Sequence, residues 1–334
     1  MTQKRLAELA GTSVVTVYNA IHRKELVKPE TREKILELMR EYDYHTDFIA
    51  RAMVKGRTNV IGVIVPNFEV VYYAKVISAV ERQLREAGYH CILAQHHDDP
   101  VLEREEMDMM REYRVDGVII RNCGRDIDND QINNLAKAGV PFVLMDGHCK
   151  GHEKHFVGFD DFTGSLNAVE YLLRLGHHRI GVVGFHRSGD LRNSVRYKGY
   201  EQALKSHGLS PTPAWVRNCA TEYFSGKEEV VSIRKNDGGA FPTAFFTFND
   251  HTAIGVLKGL SELNVNAEVV GFGAYWDEIL MPENFFSVEQ DFKLLAGECV
   301  KMLLSQIENQ EAFGPLLVPC GKLISTLRMR TKKG

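Results

Sequence analysis

Apolar and polar residues follow two different periods along the chain, and the change between them falls near residue 60. Before it, apolar side chains recur at three and four residues, which predicts short amphipathic helices. After it, continuous apolar runs such as Val60–Val65 alternate with longer helical patterns, as in parallel sheets buried on both faces. The pattern predicts a small helical domain followed by a larger α/β domain.

The first helical pattern ends at Gly11, a residue that takes the left-handed conformation at a helix end without a side-chain clash. Thr2 can cap the helix before it, and Ser13 can cap the helix after it. Val17 and Ala20 fall on the inward face of the second helix. The spacing predicts a helix, a tight turn and a second helix.

The second helix leaves Val14, Val15, Tyr18 and Asn19 on its outer side near its N-terminal end. A recognition helix presents that end to base edges in the major groove. An ordinary helical hairpin with chance surface valines would show the same pattern. The hairpin alone therefore leaves both interpretations open.

A third helix is predicted to start at Pro29, where the missing N–H of proline costs nothing. Its inward stripe is Ile35, Leu38, Met39 and Tyr42. Residues 47–58 could add one or two helical turns closed by glycine. Three small helices and a short helical stretch thus precede the α/β domain.

Charge differs between the two parts of the chain. Residues 1–58 contain 11 Lys and Arg against 8 Asp and Glu, a balance of +3, while the whole chain carries −3, which leaves −6 for the remainder. The positive excess lies where a phosphate-contacting domain needs it. It is too small to establish DNA binding alone.

This arrangement resembles the lactose-repressor (LacI/GalR) family of bacterial transcription regulators over the whole chain. The resemblance implies a helix-turn-helix domain at residues 1–46, a hinge helix and linker at 47–59, and an effector-binding and dimerisation domain at 60–327. The last would have a periplasmic-binding-protein-like fold of two doubly wound α/β subdomains, about 60–160 and 161–290, with a crossover back to the first. Residues 328–334 form a basic tail.

The resemblance also implies which residues contact DNA. Ala50 and Met53 of the hinge helix would face the minor groove, with Met53 as an apolar wedge between base steps; a core methionine is the alternative. Thr46 takes over the capping of this helix, since the proline common in the family is absent. The expected DNA-contacting set is Thr2, Ser13, Val14, Val15, Thr16, Tyr18, Asn19, His22, Ala50 and Met53.

The residues on the DNA-facing side of the second helix differ from those usual in the family. Where members usually carry Thr-Val-Ser-Arg, this chain has Thr16, Val17, Tyr18 and Asn19. Asparagine prefers a bidentate pairing with adenine, and a valine can touch a thymine methyl group. We therefore expect an operator half-site that differs from the common one of the family.

The α/β part predicts two halves with a cleft between them, and ligands in such folds bind beyond the carboxyl ends of the strands. By the resemblance, this cleft takes a small polar effector, such as a sugar. Aromatic faces suit sugar rings, carboxylates accept from hydroxyls, and an arginine fork donates to diols or carboxylates. The expected effector-binding residues are Tyr72, Tyr73, Asp146, Arg196, Asn249, Tyr275, Trp276, Gln290 and Phe292.

One residue expected from the family is missing. Members commonly read Gly-aromatic-Asp-Asp where this chain has Gly271, Phe272, Gly273 and Ala274, so a carboxylate that often holds the effector is absent. We expect a different effector, or a pocket redirected towards Tyr275 and Trp276.

Metal and disulfide sites are not indicated. The loops with His148, His152 and His155, and the run of residues 96–99 (His-His-Asp-Asp), contain metal-ligand types. Their spacings match no metal signature, so solvated loop histidines are the favoured interpretation. The six cysteines are scattered singly and are interpreted as small core residues. No cofactor is expected.

Other classes of protein fit less well. No phosphate-binding loop, dinucleotide fingerprint or hydrolase elbow is present, so the sequence does not indicate an enzyme. A transport binding protein would need a signal peptide, and no secretory or membrane-spanning segment is visible. A cytoplasmic ligand-binding protein or enzyme of similar fold remains the alternative. The sequence predicts a cytoplasmic, homodimeric, ligand-controlled regulator, with operator DNA and a small effector as partners.

Overall fold

The computed structural model describes residues 2–44, 56–123, 129–186, 190–219, 225–236, 239–274, 285–309, 311 and 313–325. Its contacts divide the chain into two units, residues 1–58 and 59–334. The predicted hinge helix, with Thr46, Ala50 and Met53, lies outside the described residues, as does the basic tail. Among the described helices, none combines the length and apolar character needed to cross a bilayer.

Residues 2–44 of the N-terminal unit form three α-helices around one small core. They are α1 (Gln3–Ala10), α2 (Val14–His22) and α3 (Pro29–Glu41). Gly11 closes α1 with a φ of 68°, as its sequence position predicts. The core consists of Leu6, Ala7, Ala10, Val17, Ala20 and Ile35. The predicted stripe on α3 is wrong at its end, because Tyr42 lies beyond the last helical turn and is exposed, while Tyr44 packs against the core.

The described residues of the larger unit form two six-stranded sheets. The first has the order β11-β5-β4-β3-β1-β2 and is parallel throughout. The second has the order β12-β10-β9-β8-β6-β7, and only its β10–β12 pair is antiparallel. The strands are β1 (Val60–Val65), β2 (His90–Gln95), β3 (Gly117–Ile120), β4 (Phe142–Met145), β5 (Phe156–Phe159), β6 (Ile180–Gly184), β7 (Val216–Asn218), β8 (Ala244–Thr247), β9 (Glu268–Gly273), β10 (Phe286–Glu289), β11 (Leu316–Val318) and β12 (Leu323–Ser325).

Helices cover both faces of each sheet, which explains the continuous apolar runs of the central strands. Within this unit they are α4 (Val71–Glu86), α5 (Pro100–Glu112), α6 (Asp130–Lys137), α7 (Asp161–Arg174), α8 (Val195–Ser206), α9 (Ser225–Lys235), α10 (Asp250–Glu262) and α11 (Phe292–Ile307). The two α/β halves agree with the predicted fold class. The described cysteines are all free thiols.

The sequence missed three short strands, β5, β10 and β12. The helical pattern of the sequence predicts a start at Gly164, whereas helix α7 begins at Asp161. The reason is a cap: the carboxylate of Asp160 accepts a hydrogen bond from the Thr163 N–H at 3.0 Å. The correction matters because the missed β5 and the early start of α7 bring Asp160 and Asp161 to the end of a strand.

Along the residues that the structure describes, the chain passes between the two halves at three places. These are the junctions from β5 to α7, from β10 to α11, and from β11 to β12. Helix α11 packs against α4 of the first half, so the chain returns to that half after β10. Besides the crossover predicted near residue 290, the described chain therefore has two further crossovers between the halves.

Close packing of α7 and α8 depends on Gly199. A Cβ atom there would lie 2.5 Å from the Phe162 carbonyl oxygen and 2.8 Å from the Ser165 Cβ. We expect Gly199→Ala to lower the free energy of unfolding by roughly 1–3 kcal/mol, the usual cost of overpacking. Gly297→Ala is the matched control, because a Cβ at that helical glycine meets its nearest atom at 4.0 Å. Urea unfolding should show the control unchanged or stabilised by about 0.5–1 kcal/mol; equal effects of the two changes would contradict the packing argument.

Candidate functional site

The start of α2 is shaped by a capping interaction that exposes two valines. The Ser13 hydroxyl accepts a hydrogen bond from the Thr16 N–H at 3.0 Å, and the hydroxyls of these residues lie 2.9 Å apart. Val14 is 42% exposed and Val15 is 67% exposed. A helix beginning with two accessible apolar side chains is suited to contact thymine methyl groups.

The other residues predicted to read DNA are placed less uniformly. Thr2 accepts from the Arg5 N–H at 3.2 Å and so caps α1. Tyr18 and Asn19 are half-buried on α2, and His22 is the last residue of that helix. Ala50 and Met53 lie outside the described residues. The structure therefore places eight of the ten predicted residues at the helix-turn-helix unit.

Several of the predicted effector-binding residues lie where strands of the two sheets end. In the first half, the Tyr72 hydroxyl donates a hydrogen bond to Asp146, which directly follows β4. The Phe159 N–H, at the end of β5, donates to the other oxygen of this carboxylate at 3.2 Å. Tyr73 packs edge-on against Tyr72, with ring centroids 5.1 Å apart. These residues thus form one contacting group at the ends of β4 and β5.

The pKa of the Asp146 carboxyl is raised above its ordinary value. The surrounding protein removes water from it and, together with nearby Asp161, raises its pKa. The Tyr72 hydrogen bond and the charge of Arg121 oppose this rise. The pKa of Tyr72 is raised by burial and by Asp146. The pair is thus a carboxyl acceptor with a phenol held in its protonated form.

Tyr72→Phe is expected to raise the pKa of Asp146 further, because the lost hydrogen bond favours the ionised carboxylate. A raised folded-state pKa means that stability falls as pH rises from the ordinary value of an aspartate through the raised one. The variant should therefore lose stability over a wider pH range. Carboxyl-carbon NMR titration of Asp146 measures the pKa directly; a downward shift would contradict this assignment.

Arg196 is held in the second half by three groups. Its Nε donates to Asp161 at 2.9 Å, its Nη1 donates to the Phe248 carbonyl, and its guanidinium carbon lies 4.1 Å from the centre of the Phe272 ring. The predicted role of Arg196 in holding an effector stays a prediction. The planar guanidinium is fixed by charge, hydrogen bonding and stacking together.

Side chains from all three segments that pass between the halves lie close to Arg196 and Asp161. The Gln290 amide donates to Asp161 at 3.3 Å, and the Phe292 ring lies edge-on to Tyr72 at 5.5 Å. Burial raises the pKa of the Cys320 thiol, with Asp161 adding to the rise and Arg196 opposing it. The first junction thus contributes Asp161, the second Gln290, and the third Cys320.

Sequence reasoning missed two members of this site. Asp161 bridges Arg196 and Gln290, but the strand before it was not recognised. Arg121 directly follows the buried strand β3, so the rule that ligands bind at strand ends would have found it. Its guanidinium donates to the Asn122 carbonyl at 2.8 Å. Burial lowers the pKa of Arg121, but Tyr73 and Asp146 raise it more in combination.

The remaining predicted residues have other placements. Asn249 caps α10, since its side-chain oxygen accepts from the Thr252 N–H at 2.8 Å. Tyr275 and Trp276 lie outside the described residues. Gly273, at the position of the missing carboxylate, ends β9 with a φ of 117°, a conformation that side-chain-bearing residues rarely adopt.

Most of the histidines expected to be solvated loop residues make specific contacts with neighbouring side chains. His155 stacks on the Phe142 ring at 4.2 Å, and His152 pairs with the Asn133 side chain at 2.8 Å. His148 is exposed and stacks on Phe156. His96 is fully buried, so the solvated-loop interpretation is wrong for it.

A separate hollow of about 550 Å³ lies beside α10, next to Thr243 and Glu268. These residues stand at the starts of β8 and β9, the opposite ends of the strands from Phe248 and Gly273. The hollow is therefore not part of the cleft.

Two family models match successive parts of the chain. Residues 3–47 match the family model described as bacterial regulatory proteins of the lacI family. Residues 58–276 match the model of periplasmic binding proteins and the sugar binding domain of the LacI family. The transcriptional repressor PurR of Histophilus somni is 26% identical over 316 residues, which cover 92% of this chain and 93% of the relative.

Solved structures agree in fold. The lac repressor dimer bound to operator and the anti-inducer ONPF superposes with a TM-score of 0.85 at 23% identity, covering 98% of this chain and 99% of that one. A complex of the transcriptional regulator CelR with cellobiose gives a TM-score of 0.68 at 23% identity, covering 97% of this chain and 98% of that one.

Proposed function

The chain belongs to the LacI family of bacterial regulatory proteins, and from that premise we propose that it is a cytoplasmic repressor whose operator binding is set by a sugar-like ligand. It is a DNA-binding transcription regulator and not an enzyme. The proposal concerns which residues read the operator, which residues hold the ligand, and how one affects the other.

Side chains with complementary chemistry at the ends of both sheets carry the proposal. Asp146 and Asp161 provide hydrogen-bond acceptors, while Arg196 provides donors. Tyr72 and Phe292 provide aromatic surface. A hydroxyl-rich ring needs acceptors, donors and an apolar face together, which is the usual composition of a small-molecule site. The cellobiose bound to CelR and the ONPF bound to the lac repressor support this ligand class.

In this proposal, ligand binding is coupled to DNA binding through the three segments that pass between the α/β halves. Asp161, Gln290 and Cys320 each lie on a segment that passes between the halves. A ligand held by these segments favours one arrangement of the halves over another, and it shifts the population by its difference in affinity for the two. We propose that the arrangement is passed through a homodimer to two helix-turn-helix units on a pseudo-palindrome. The dimeric lac repressor on its operator supports this assembly.

A thermal-shift screen of sugars, nucleosides and carboxylates tests the ligand class. A compound present at about 100 times its dissociation constant stabilises the protein by roughly 2.7 kcal/mol. We expect a hydroxyl-rich compound to raise the melting temperature of the larger unit. If only compounds without hydroxyl groups do so, the proposed ligand class is wrong.

Asn19→Ala is expected to remove a preference for adenine at one half-site position. A good bidentate contact contributes about 1–3 kcal/mol of discrimination against the wrong base. Selection of binding sites from random DNA with both proteins measures the change. Thr31→Ala, on α3, is a control outside the reading helix and should select the same sites as the original chain. An unchanged adenine frequency in the Asn19 variant would show that Asn19 does not read the operator.

A further inference from the structure

Three buried side chains outside the cleft meet in the first half of the larger unit. His96 follows β2, Glu103 lies in the first turn of α5, and Cys123 follows β3. Their relative exposures are 0%, 2% and 4%. A buried imidazole, carboxylate and thiol in contact are not explained by DNA reading or by ligand binding in the cleft.

The reactive atoms of these residues face one another. His96 Nδ1 lies 3.3 Å from Cys123 Sγ, and one ligand atom from each residue falls within 4.8 Å of the other two. Tetrahedral zinc, with bonds of about 2.0 Å to nitrogen and about 2.3 Å to sulfur, places those atoms roughly 3.5 Å apart. Small side-chain movements are enough to bring all three atoms to one ion.

The tautomer of His96 suits a metal ligand. Its Nε2 lies 2.8 Å from the Arg121 carbonyl oxygen, which can only accept, so Nε2 carries the proton. Nδ1 is therefore the unprotonated nitrogen, and it lies 3.3 Å from Cys123 Sγ. Histidines that bind metals usually donate their other N–H to such a backbone carbonyl. The Asp98 N–H donates to Nδ1 at 3.1 Å, and metal binding would replace that bond.

The Glu103 carboxylate is oriented by neutral groups. The Cys123 N–H donates to one oxygen, and the Asn129 amide donates to the other at 2.7 Å. Within the described part of the chain, these hydrogen-bond donors bring no positive charge to the buried carboxylate. Buried charges are normally paired or bound to a metal ion. A divalent cation between Glu103 and Cys123 would pair with this carboxylate.

We propose that His96 Nδ1, the Glu103 carboxylate and Cys123 Sγ bind one divalent transition-metal ion of the zinc class. This mixed nitrogen, oxygen and sulfur set suits Zn²⁺ rather than Mg²⁺ or Ca²⁺, which take oxygen ligands. Three protein ligands leave a fourth position for water. On binding, the Cys123 thiol gives its proton to solvent and the thiolate sulfur bonds to the ion.

The site also touches the cleft through the backbone. The His96 Nε2–H donates a hydrogen bond to the Arg121 carbonyl oxygen, and the Arg121 side chain lies near Asp146. Metal binding would fix the end of β3 from which Arg121 projects. This connection is a consequence of the metal site, which stands whether or not the cleft binds a sugar.

Cobalt substitution tests the proposal in the whole 334-residue chain, kept reduced. We expect one Co²⁺ per chain, with the charge-transfer absorption of a cobalt–thiolate bond, and displacement of that Co²⁺ by Zn²⁺. Absence of the thiolate band from the original chain would overturn the proposal without any variant. The measurement therefore remains decisive if a buried substitution prevents folding.

Two variants assign the band. Cys123→Ser should lose the band. Its affinity for Zn²⁺ should fall by more than the roughly 10–100-fold that removal of an outer-shell partner costs. Cys149→Ser is the matched control, because this thiol is buried to 3% exposure in the same half. The control should retain the band and the affinity. A band that persists in Cys123→Ser, or disappears in Cys149→Ser, would place the metal elsewhere.

Discussion

Replacing Ile35 by aspartate is expected to abolish DNA binding by the 334-residue chain while leaving ligand binding unchanged. Ile35 is fully buried in the six-residue core of the N-terminal unit. A core in a domain this small rarely supplies more than about 3–5 kcal/mol of stability. Loss of the isoleucine costs roughly 2–5 kcal/mol, and burying an unpaired carboxylate costs several more. The unit should unfold, and DNA affinity should fall by about 100-fold or more, since tenfold corresponds to about 1.4 kcal/mol.

Leu26→Asp is the matched control for charge. Leu26 is 58% exposed, so the same substitution adds the same negative charge near DNA without disturbing the core. Fluorescence anisotropy with labelled operator should show a severalfold loss for the control and no measurable specific binding for Ile35→Asp. Calorimetry with the compound found by the thermal-shift screen should give the same ligand affinity for both. If Ile35→Asp and Leu26→Asp lose DNA affinity equally, the core of the unit is not what holds α2 in position for DNA binding.

Replacing Arg196 by alanine is expected to weaken ligand binding by roughly 100-fold, because charge-assisted hydrogen bonds contribute about 1.5–3 kcal/mol each. The change also leaves Asp161 without its cation and Phe272 without its stacked guanidinium. The freed Asp161 carboxylate can turn away from Gln290 or repel Asp146. Both effects damage the site rather than the fold, since the ion pair keeps some exposure to solvent.

Arg217→Ala is the control for loss of an ion pair as such. Arg217 Nε lies 2.7 Å from Glu229, and the guanidinium also bonds Ser232 at 2.7 Å. This pair resembles that of Arg196 in geometry and exposure, but it joins β7 to α9. Calorimetry should show a ligand affinity within about twofold of the original chain, which is below 0.5 kcal/mol. If the two variants bind the ligand equally, Arg196 does not hold it.

The reading helix could be predicted because its determinants are local. Gly11, Ser13 and Val17 act through a turn, a cap and a buried face within seven residues. Ends of helices depend on less regular contacts, and Tyr42 was misplaced for that reason. The resemblance to the LacI family, drawn from this region and from the α/β pattern, is confirmed by both family models.

The cleft could be predicted only in part, because its residues come from distant segments. Asp146 directly follows β4, and Arg196 lies in the first turn of α8, where it bonds Asp161 and the Phe248 carbonyl. Asp161 follows a strand of four residues whose partners β4 and β11 are separated from it in the chain. No local period marks so short a strand. The meeting of His96, Glu103 and Cys123 likewise depends on the order of the strands, not on spacing in the sequence.

Reciprocal linkage tests the central claim, that occupancy of the cleft sets the affinity for DNA. The affinity of the original chain for the screened compound should be measured with and without saturating operator. Its affinity for operator should then be measured with and without saturating compound. The two ratios must be equal for true coupling. We predict equal ratios of about 5–150, the usual range of allosteric coupling. A ligand affinity that is the same on and off the operator would contradict the claim.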